Sequence, residues 1–146
     1  GKLELHASFA LPTEISPRQK AAYAAENSLY LREERGNGLE ERMADFLIDC
    51  NNVLWWHRNQ SNKGFALNGP IKHYPDFIVR LQSGMTVLLE TKGGDRDNSD
   101  SAAKIELGQQ WEAHAGRTFR YRMVFESNPP AGALSWAEAC ELLRGL

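Results

Sequence analysis

Two acidic residues and a lysine stand at the ends of two short apolar segments. Pro75-Asp76 precedes the first segment, and Glu90-Thr91-Lys92 closes the second. The turn between the segments predicts a β-hairpin that brings the second acid back to the first. Neighbouring carboxylates repel each other, and a hard cation such as Mg²⁺ relieves that repulsion. A bound Mg²⁺ can activate water and stabilise charge on a phosphoryl oxygen, while a nearby lysine orients that water or offsets the negative charge. These residue types are therefore suited to phosphodiester hydrolysis.

The register of this hairpin follows from its hydrophobic pattern. A three-residue loop, Gln82-Ser83-Gly84, pairs Leu81 with Met85 and puts the glycine at a left-handed position. One face then holds an apolar set: Phe77, Val79, Leu81, Met85, Val87 and Leu89. The other face holds Asp76, Ile78, Arg80, Thr86, Leu88, Glu90 and Lys92. A two-residue loop would mix the two sets, which is costly when one face is buried. We therefore predict the three-residue loop, which places Asp76 opposite Glu90.

The stretch from Tyr74 to Gly93 resembles the PD-(D/E)xK nuclease superfamily, in particular the endonuclease domain of type III restriction enzymes and related helicase-nuclease proteins. The resemblance implies a restriction-endonuclease-like, three-layer α/β/α fold with a central mixed sheet and the core order helix, three strands, helix, strand. It implies a Mg²⁺ site, which Mn²⁺ can also fill, held by Asp76, Glu90 and the backbone carbonyl of Thr91. Lys92 would assist the attacking water, and cleavage would leave a 5′-phosphate and a 3′-hydroxyl. The alternative interpretation of the same motif is a salt-bridged strand end without chemistry.

The segments before the motif fit the start of that core. Leu39 to Cys50 has apolar residues at helical spacing, with Asn37 as a plausible cap and Glu40 in the first turn. The resemblance implies that Glu40 completes the site, and the alternative is an acid that only stabilises the helix. Val53 to His57 is an apolar run typical of a buried strand. The turn Asn68-Gly69-Pro70 predicts the first hairpin of the sheet.

The segments after the motif complete the core. A helix is predicted from Ser99 or Asp100 to about His114, and Thr118–Phe125 is predicted as a strand. Basic residues around the site are candidates for contacts with DNA phosphates. These candidates are Arg58, Lys72, His73 and Lys104. A solvated side chain is the alternative for Lys104.

Both ends of the chain predict helices outside the core, which spans residues 38–125. Ser16-Pro17 predicts the start of a helix that runs to about Arg35, within an N-terminal helical extension of residues 1–36. The capping box that begins at Ser135 and ends at Glu138 predicts a C-terminal helix over residues 135–144.

Composition limits the class of protein. The chain has 146 residues, enough for one domain with a single core. It has no stretch long enough to span a membrane and no signal-peptide pattern, and its two cysteines lack metal-ligand spacing. We expect a cytoplasmic protein in which Cys50 and Cys140 are buried free thiols.

The net charge of the chain bears on how it would bind DNA. The net charge of −2 gives no basic footprint of the kind that duplex binding usually leaves, and the chain has no Gly-x-x-x-x-Gly-Lys phosphate loop. We therefore expect a Mg²⁺-dependent DNA endonuclease domain, residues 1–146, excised from a larger helicase-like protein of the restriction or defence type. A catalytically inactive nuclease-like module that binds DNA or docks a partner is the main alternative. An assembly domain with an accidental motif is another.

Overall fold

The computed structural model describes residues 10–15, 21–23 (backbone only), 26–30, 32–34, 36–93 and 99–146. These residues contain nine strands and three helices. In chain order the elements are β1 (Ala21–Tyr23), β2 (Arg32–Glu34), α1 (Gly38–Asp49), β3 (Val53–Arg58), β4 (Leu67–Asn68), β5 (Lys72–His73), β6 (Phe77–Leu81), β7 (Thr86–Lys92), α2 (Ser101–Ala115), β8 (Phe119–Phe125), β9 (Leu134–Ser135) and α3 (Trp136–Gly145). In these residues no helix has the length and apolar character needed to cross a membrane.

A five-stranded mixed sheet with the order β3-β6-β7-β8-β9 forms the centre of the structure. β3, β6 and β7 are antiparallel neighbours, whereas β8 and β9 continue the sheet in parallel. The parallel step from β7 to β8 needs a crossover, and α2 supplies it. The N-terminus of α2 therefore lies at the C-terminal end of β7. The predicted α/β class with a mixed sheet is confirmed.

The two faces of the sheet are covered by different helices. One apolar cluster joins α1 and α3 to the sheet; its members include Met43, Leu47, Phe77, Val79, Val87, Leu89, Ala139 and Leu143. The other joins α2 and β4 to the opposite face; its members include Leu67, Ile78, Leu88, Ile105, Leu107, Trp111, Tyr121 and Met123. Burial on both faces explains why all seven residues of β7 are buried and why that strand has a long apolar run.

The hairpin of β6 and β7 has the register predicted from the sequence. Phe77 pairs with Leu89, and the N–H of Leu81 donates to the carbonyl of Met85 over 2.8 Å. Gly84 has a φ of 93°, a left-handed conformation that glycine adopts without strain. The apolar face of the hairpin therefore packs under α1, and the strands end with the acids side by side.

The three helices begin close to where their capping signals predict. Asn37 caps α1 and forms a reciprocal capping box with Glu40. Ser135 and Glu138 form the same motif at α3. Both cysteines are buried free thiols, as expected.

Two predictions about the surroundings of the core are wrong. The N-terminal helix is replaced, at residues 21–23 and 32–34, by the antiparallel pair β1 and β2; Ser16-Pro17 lies outside the described residues. Residues 26–30 instead hydrogen-bond to the free edge of β3, where the N–H of Leu29 donates to the carbonyl of Trp56 over 2.8 Å. This tertiary pairing overrides the local helical spacing. The hairpin of β4 and β5 is a separate two-stranded sheet and not part of the central one.

Candidate active site

The predicted acids and lysine meet at the end of the sheet where β6 begins and β7 ends. Asp76 directly precedes β6, and Glu90 and Lys92 are in the last three residues of β7. Their exposed fractions are 9%, 6% and 7% respectively. The first turns of α1 and α2 reach the same place through Glu40 and Lys104. The hairpin register and the crossover helix thus bring together every acidic and lysine side chain that the sequence proposed for catalysis.

Pro75 explains why the strand pairing stops at this point. In the observed register Thr91 faces Pro75, which has no N–H to give to the ladder. The N–H and the hydroxyl of Thr91 instead donate to Oδ2 of Asp76, over 2.7 and 2.8 Å. The N–H and the carbonyl of one strand residue point towards the same neighbouring strand. The Thr91 carbonyl therefore faces Pro75, which has no N–H to donate to it. Its role as a metal ligand stays a prediction.

Asn59 fixes the peptide that carries Asp76. Its side-chain amide donates to the carbonyls of Pro75 and Phe65, and its backbone N–H donates to the carbonyl of Asp76 over 2.8 Å. The residue is 1% exposed. The sequence analysis missed this residue, because a lone asparagine in a polar segment gives no signal of such a role.

Arg58 bridges two of the predicted acids. Its Nη2 lies 3.0 Å from Oε2 of Glu40 and 3.5 Å from Oδ1 of Asp76. Its Nη1 donates to the carbonyls of Asn59 and Asp76, over 2.6 and 3.1 Å. Burial acts to lower the pKa of Arg58, but the charges of Asp76 and Glu40 outweigh it and raise the pKa. The guanidinium therefore stays charged between the two carboxylates.

The two lysines of the site share an acidic partner at the start of α2. Nζ of Lys92 lies 3.1 Å from Oδ1 of Asp100, and Nζ of Lys104 lies 2.9 Å from Oδ2 of the same carboxylate. Lys104 also lies 3.5 Å from Oε2 of Glu90. Partial burial opposes it, but hydrogen bonds from Lys104 and Lys92 lower the pKa of Asp100 to about 2. The sequence indicated Asp100 only as one of two candidate starts of α2, and its side chain accepts no capping hydrogen bond there.

Burial and mutual repulsion destabilise the two central carboxylates. Burial raises the pKa of Glu90 well above its usual range, and the charge of Asp76 raises it further. Burial also raises the pKa of Asp76, against the opposing effect of Arg58. Oε1 of Glu90 is buried and has no hydrogen-bond partner in the structure. An unpartnered buried carboxylate oxygen beside a second carboxylate fits a hard divalent cation, which takes such oxygens as ligands.

Glu40, the third predicted acid, has other partners in this structure and is not available to bind a metal ion. Among the described residues, no three His, Cys, Asp or Glu side chains are arranged to hold a metal ion. Glu40 is paired with Arg58 and closes the capping box of α1. The residues present therefore fit a site formed by Asp76 and Glu90, with Glu40 engaged by the arginine.

The four predicted DNA contacts occupy different environments. Lys72 is exposed, with Nζ 5.4 Å from the centre of the Tyr74 ring. Arg58 and Lys104 are held in the ion pairs of the site. His73 is only 1% exposed, and its Nε2 lies 2.8 Å from the hydroxyl of Tyr121. Burial, with the charges of Lys104 and Lys92, lowers the pKa of His73 to about 3. A buried neutral ring offers no charge to a phosphate, so this location does not fit the predicted contact.

A buried hydrogen bond between His57 and Glu33 ties the N-terminal segment to the site. Nδ1 of His57 lies 2.9 Å from Oε2 of Glu33, which also accepts a hydrogen bond from the N–H of Arg58 over 3.3 Å. The other carboxylate oxygen of Glu33 accepts from the N–H of Tyr30. Glu33 thus fixes the backbone from which Arg58 extends, a role that the predicted N-terminal helix obscured.

Comparison with protein-family models, curated proteins and solved structures finds no match for the chain. The chemistry must therefore be inferred from the geometry of the site.

Proposed function

We propose that the protein is a metal-dependent nuclease of the restriction-endonuclease-like fold, which hydrolyses DNA phosphodiester bonds with Mg²⁺. One observation carries the proposal. Asp76 and Glu90 lie together with an unpartnered buried oxygen, and Lys92 and Lys104 lie beside them. A purely structural salt bridge would not require a second carboxylate that raises the pKa of the first.

The order of the elements supports the same proposal. α1, β3, β6, β7, α2 and β8 follow one another as helix, three strands, helix and strand. This is the core order that the resemblance to PD-(D/E)xK nucleases implies, with the small β4–β5 hairpin inserted after the first strand. β9 and α3 then extend the sheet and cover one of its faces.

Each residue of the site has a defined task in this proposal. Asp76, Glu90 and the Thr91 carbonyl would hold Mg²⁺, which when bound acts as a Lewis acid and lowers the pKa of coordinated water. Thr91 orients Asp76 through its two hydrogen bonds. Lys92 orients the attacking water by donating a hydrogen bond to it, in a buried place where such donors are most effective.

Lys104 and Asp100 set the charge around that lysine. Asp100 pairs with both lysines in this structure. A phosphodiester that enters the site brings its own negative charge and competes with Asp100 for them. Lys104 is then free to offset the charge that develops on the phosphoryl oxygens.

The small negative net charge bears on how DNA reaches the site. A net charge of −2 provides little nonspecific attraction to the DNA backbone. We propose that a neighbouring helicase or translocase module supplies that attraction and delivers the strand, in the cytoplasm.

A second function is favoured by a different observation. Arg58 already bridges Glu40 and Asp76, as a guanidinium would in a nuclease-like module that has lost its metal and serves in DNA binding or docking. Such a module would neither bind divalent metal at Asp76 nor cut DNA.

DNA cleavage separates the two functions. Closed-circular duplex and linear single-stranded DNA are incubated with Mg²⁺ or Mn²⁺ and either wild type, Lys92→Ala or the matched control Lys63→Ala, an exposed lysine. The proposal expects metal-dependent cutting by wild type and by the control, and a loss of roughly 10²-fold or more in the Lys92 variant. Equal cutting by all three proteins would remove Lys92 from the mechanism. Absence of cutting by wild type would favour the docking module.

A further inference from the structure

The backbone of Arg58 is held in the sheet, and separate contacts hold the guanidinium at the far end of the side chain. Arg58 pairs with Phe77 in the sheet, and its N–H donates to the buried carboxylate of Glu33. Beyond the backbone, the side chain crosses the Phe77 ring, with the guanidinium carbon 5.6 Å from the ring centre. A change in the contacts of this residue would therefore move the guanidinium and leave the strand in place.

Nη1 of the guanidinium donates to two main-chain carbonyls, whereas the other nitrogens of the group have weaker contacts. One nitrogen, Nη2, is shared between Glu40 at 3.0 Å and Asp76 at 3.5 Å. No two-pronged contact with either carboxylate is present, although that geometry gives arginine its strongest pairs. Nε is buried and has no hydrogen-bond partner. The arrangement satisfies the charge of the two acids and leaves part of the arginine unsatisfied.

Charge makes simultaneous occupation by arginine and metal unfavourable. Nη2 lies 3.5 Å from Oδ1 of Asp76, one of the carboxylate oxygens available to a cation. A divalent ion at that carboxylate would stand within a few ångströms of a buried positive charge, where repulsion is only weakly screened. Released from Asp76, the guanidinium would still be anchored beside the site, and a phosphate oxygen is the partner that its planar group fits best.

Resting on the proposed function, we propose that Arg58 and the metal ion exchange at Asp76. In the metal-free protein the guanidinium holds Glu40 and Asp76 in place. Metal binding displaces it, and the displaced guanidinium binds a backbone phosphate of the incoming DNA. Arg58 is thus a positioning residue that makes metal binding and DNA binding mutually reinforcing.

The first test measures metal binding without any reaction. Free Mn²⁺ is titrated by electron paramagnetic resonance against wild type, Arg58→Gln and the control Arg80→Gln, whose arginine contacts Trp55 and Thr86 instead. The exchange expects Arg58→Gln to bind Mn²⁺ about tenfold tighter or more, and Arg80→Gln to match wild type. Equal affinity of wild type and Arg58→Gln would overturn the exchange.

The second test measures the coupling to DNA. A fluorescein-labelled single-stranded oligonucleotide is titrated with and without Mn²⁺ in the Lys92→Ala background, where the proposed function expects cutting to be roughly 10²-fold slower or more. With Arg58 present, Mn²⁺ should tighten oligonucleotide binding roughly fivefold or more, and with Arg58→Gln the effect should fall below about twofold. Electrostatic screening of the acids by Mn²⁺ alone would tighten binding equally in both proteins, which would overturn the role of Arg58 toward phosphate.

A third measurement is made on the wild-type protein, and a variant serves only to assign the signal. The side-chain Nε–H resonance of Arg58 is followed by ¹⁵N NMR during titration of the wild-type protein with Mg²⁺, and Arg58→Lys identifies the signal by its loss. The exchange expects a shift with the same midpoint as metal binding. A signal that stays unchanged while metal binds would contradict the exchange and leave the nuclease proposal intact. Failure of every variant to bind Mn²⁺ or Mg²⁺ would overturn both.

Discussion

His73 offers a prediction whose size follows from its environment. The ring is 1% exposed, bonded to the hydroxyl of Tyr121, and near the positive charges of Lys104 and Lys92. The charge of Asp100 acts on the ring in the opposite direction. These surroundings lower the pKa of His73 from 6.5 to about 3 in the folded protein. The ring therefore stays neutral in the fold at a pH where it takes up a proton in the unfolded chain.

The sign and size of the effect follow from proton binding. Because the folded-state pKa is lowered, stability is retained above pH 6.5 and is lost as the pH falls from 6.5 towards 3. Each pH unit in that range costs about 1.4 kcal/mol, so His73 lowers the free energy of unfolding by about 2 kcal/mol between pH 7 and pH 5. Glu90 and Asp76 have the opposite effect. Their pKa values are raised in the folded protein, so a falling pH stabilises the fold through these two acids while it destabilises the fold through His73. The effect of His73 must therefore be isolated by comparison with a variant.

Urea unfolding followed by tryptophan fluorescence measures the effect. We compare wild type with His73→Gln, which keeps a polar group for Tyr121, and with His114→Gln at an exposed position. Between pH 7 and pH 5, wild type and the His114 variant should lose about 2 kcal/mol more than His73→Gln, a shift of about 1 M in the urea midpoint. Parallel pH dependence in wild type and His73→Gln would refute the assignment of a buried neutral ring.

Three further predictions test the charge of the site and the packing around it. Glu90→Gln should stabilise the metal-free protein at pH 7 by about 1–3 kcal/mol, because it removes a buried acidic group that lies beside Asp76 and has one oxygen without a hydrogen-bond partner. The same substitution should abolish metal-dependent cleavage. Thermal unfolding and the cleavage assay check the two parts, and a less stable variant would contradict the electrostatic account. Gly108→Ala should destabilise the fold by about 1–3 kcal/mol, because the added methyl overlaps the Tyr121 ring. In the control Gly38→Ala the added methyl meets no atom within 4 Å, so stability should change by less than about 0.5 kcal/mol. Equal effects of the two substitutions would show that α2 is not packed as described. Asn59→Ala leaves three main-chain groups without their side-chain partner and should lower the free energy of unfolding by about 2–4 kcal/mol, as measured by urea unfolding. An unchanged free energy of unfolding would show that Asn59 does not support Asp76.

The central part of the fold was predictable because its signals are local or periodic. Alternation of apolar residues and a single glycine determined the register that places Asp76 opposite Glu90. Capping boxes at Asn37 and Ser135 located the starts of two helices. These features depend on residues a few positions apart, which a sequence displays directly.

The remainder depends on pairings between distant segments. The alanines near residue 21 and Leu29 have helical spacing, but Asn27 bonds to Trp56 and to the carbonyls of Leu47 and Ile48, which draws this segment to the edge of the sheet. His73 was predicted as a contact for DNA phosphates because it lies with other basic residues near the acidic motif. Its burial depends on Tyr121, a residue 48 positions away. No short-range pattern encodes such contacts.

Location of a bound metal ion tests the central claim most directly. Crystals of the protein grown or soaked with Mn²⁺ are measured at a wavelength where manganese scatters anomalously. The proposal expects an anomalous peak within about 2.0–2.5 Å of carboxylate oxygens of both Asp76 and Glu90. It also expects the guanidinium of Arg58 to be displaced from Asp76. A map with Mn²⁺ at other residues, or with no Mn²⁺ and Arg58 still bridging Glu40 and Asp76, would contradict a metal-dependent nuclease site.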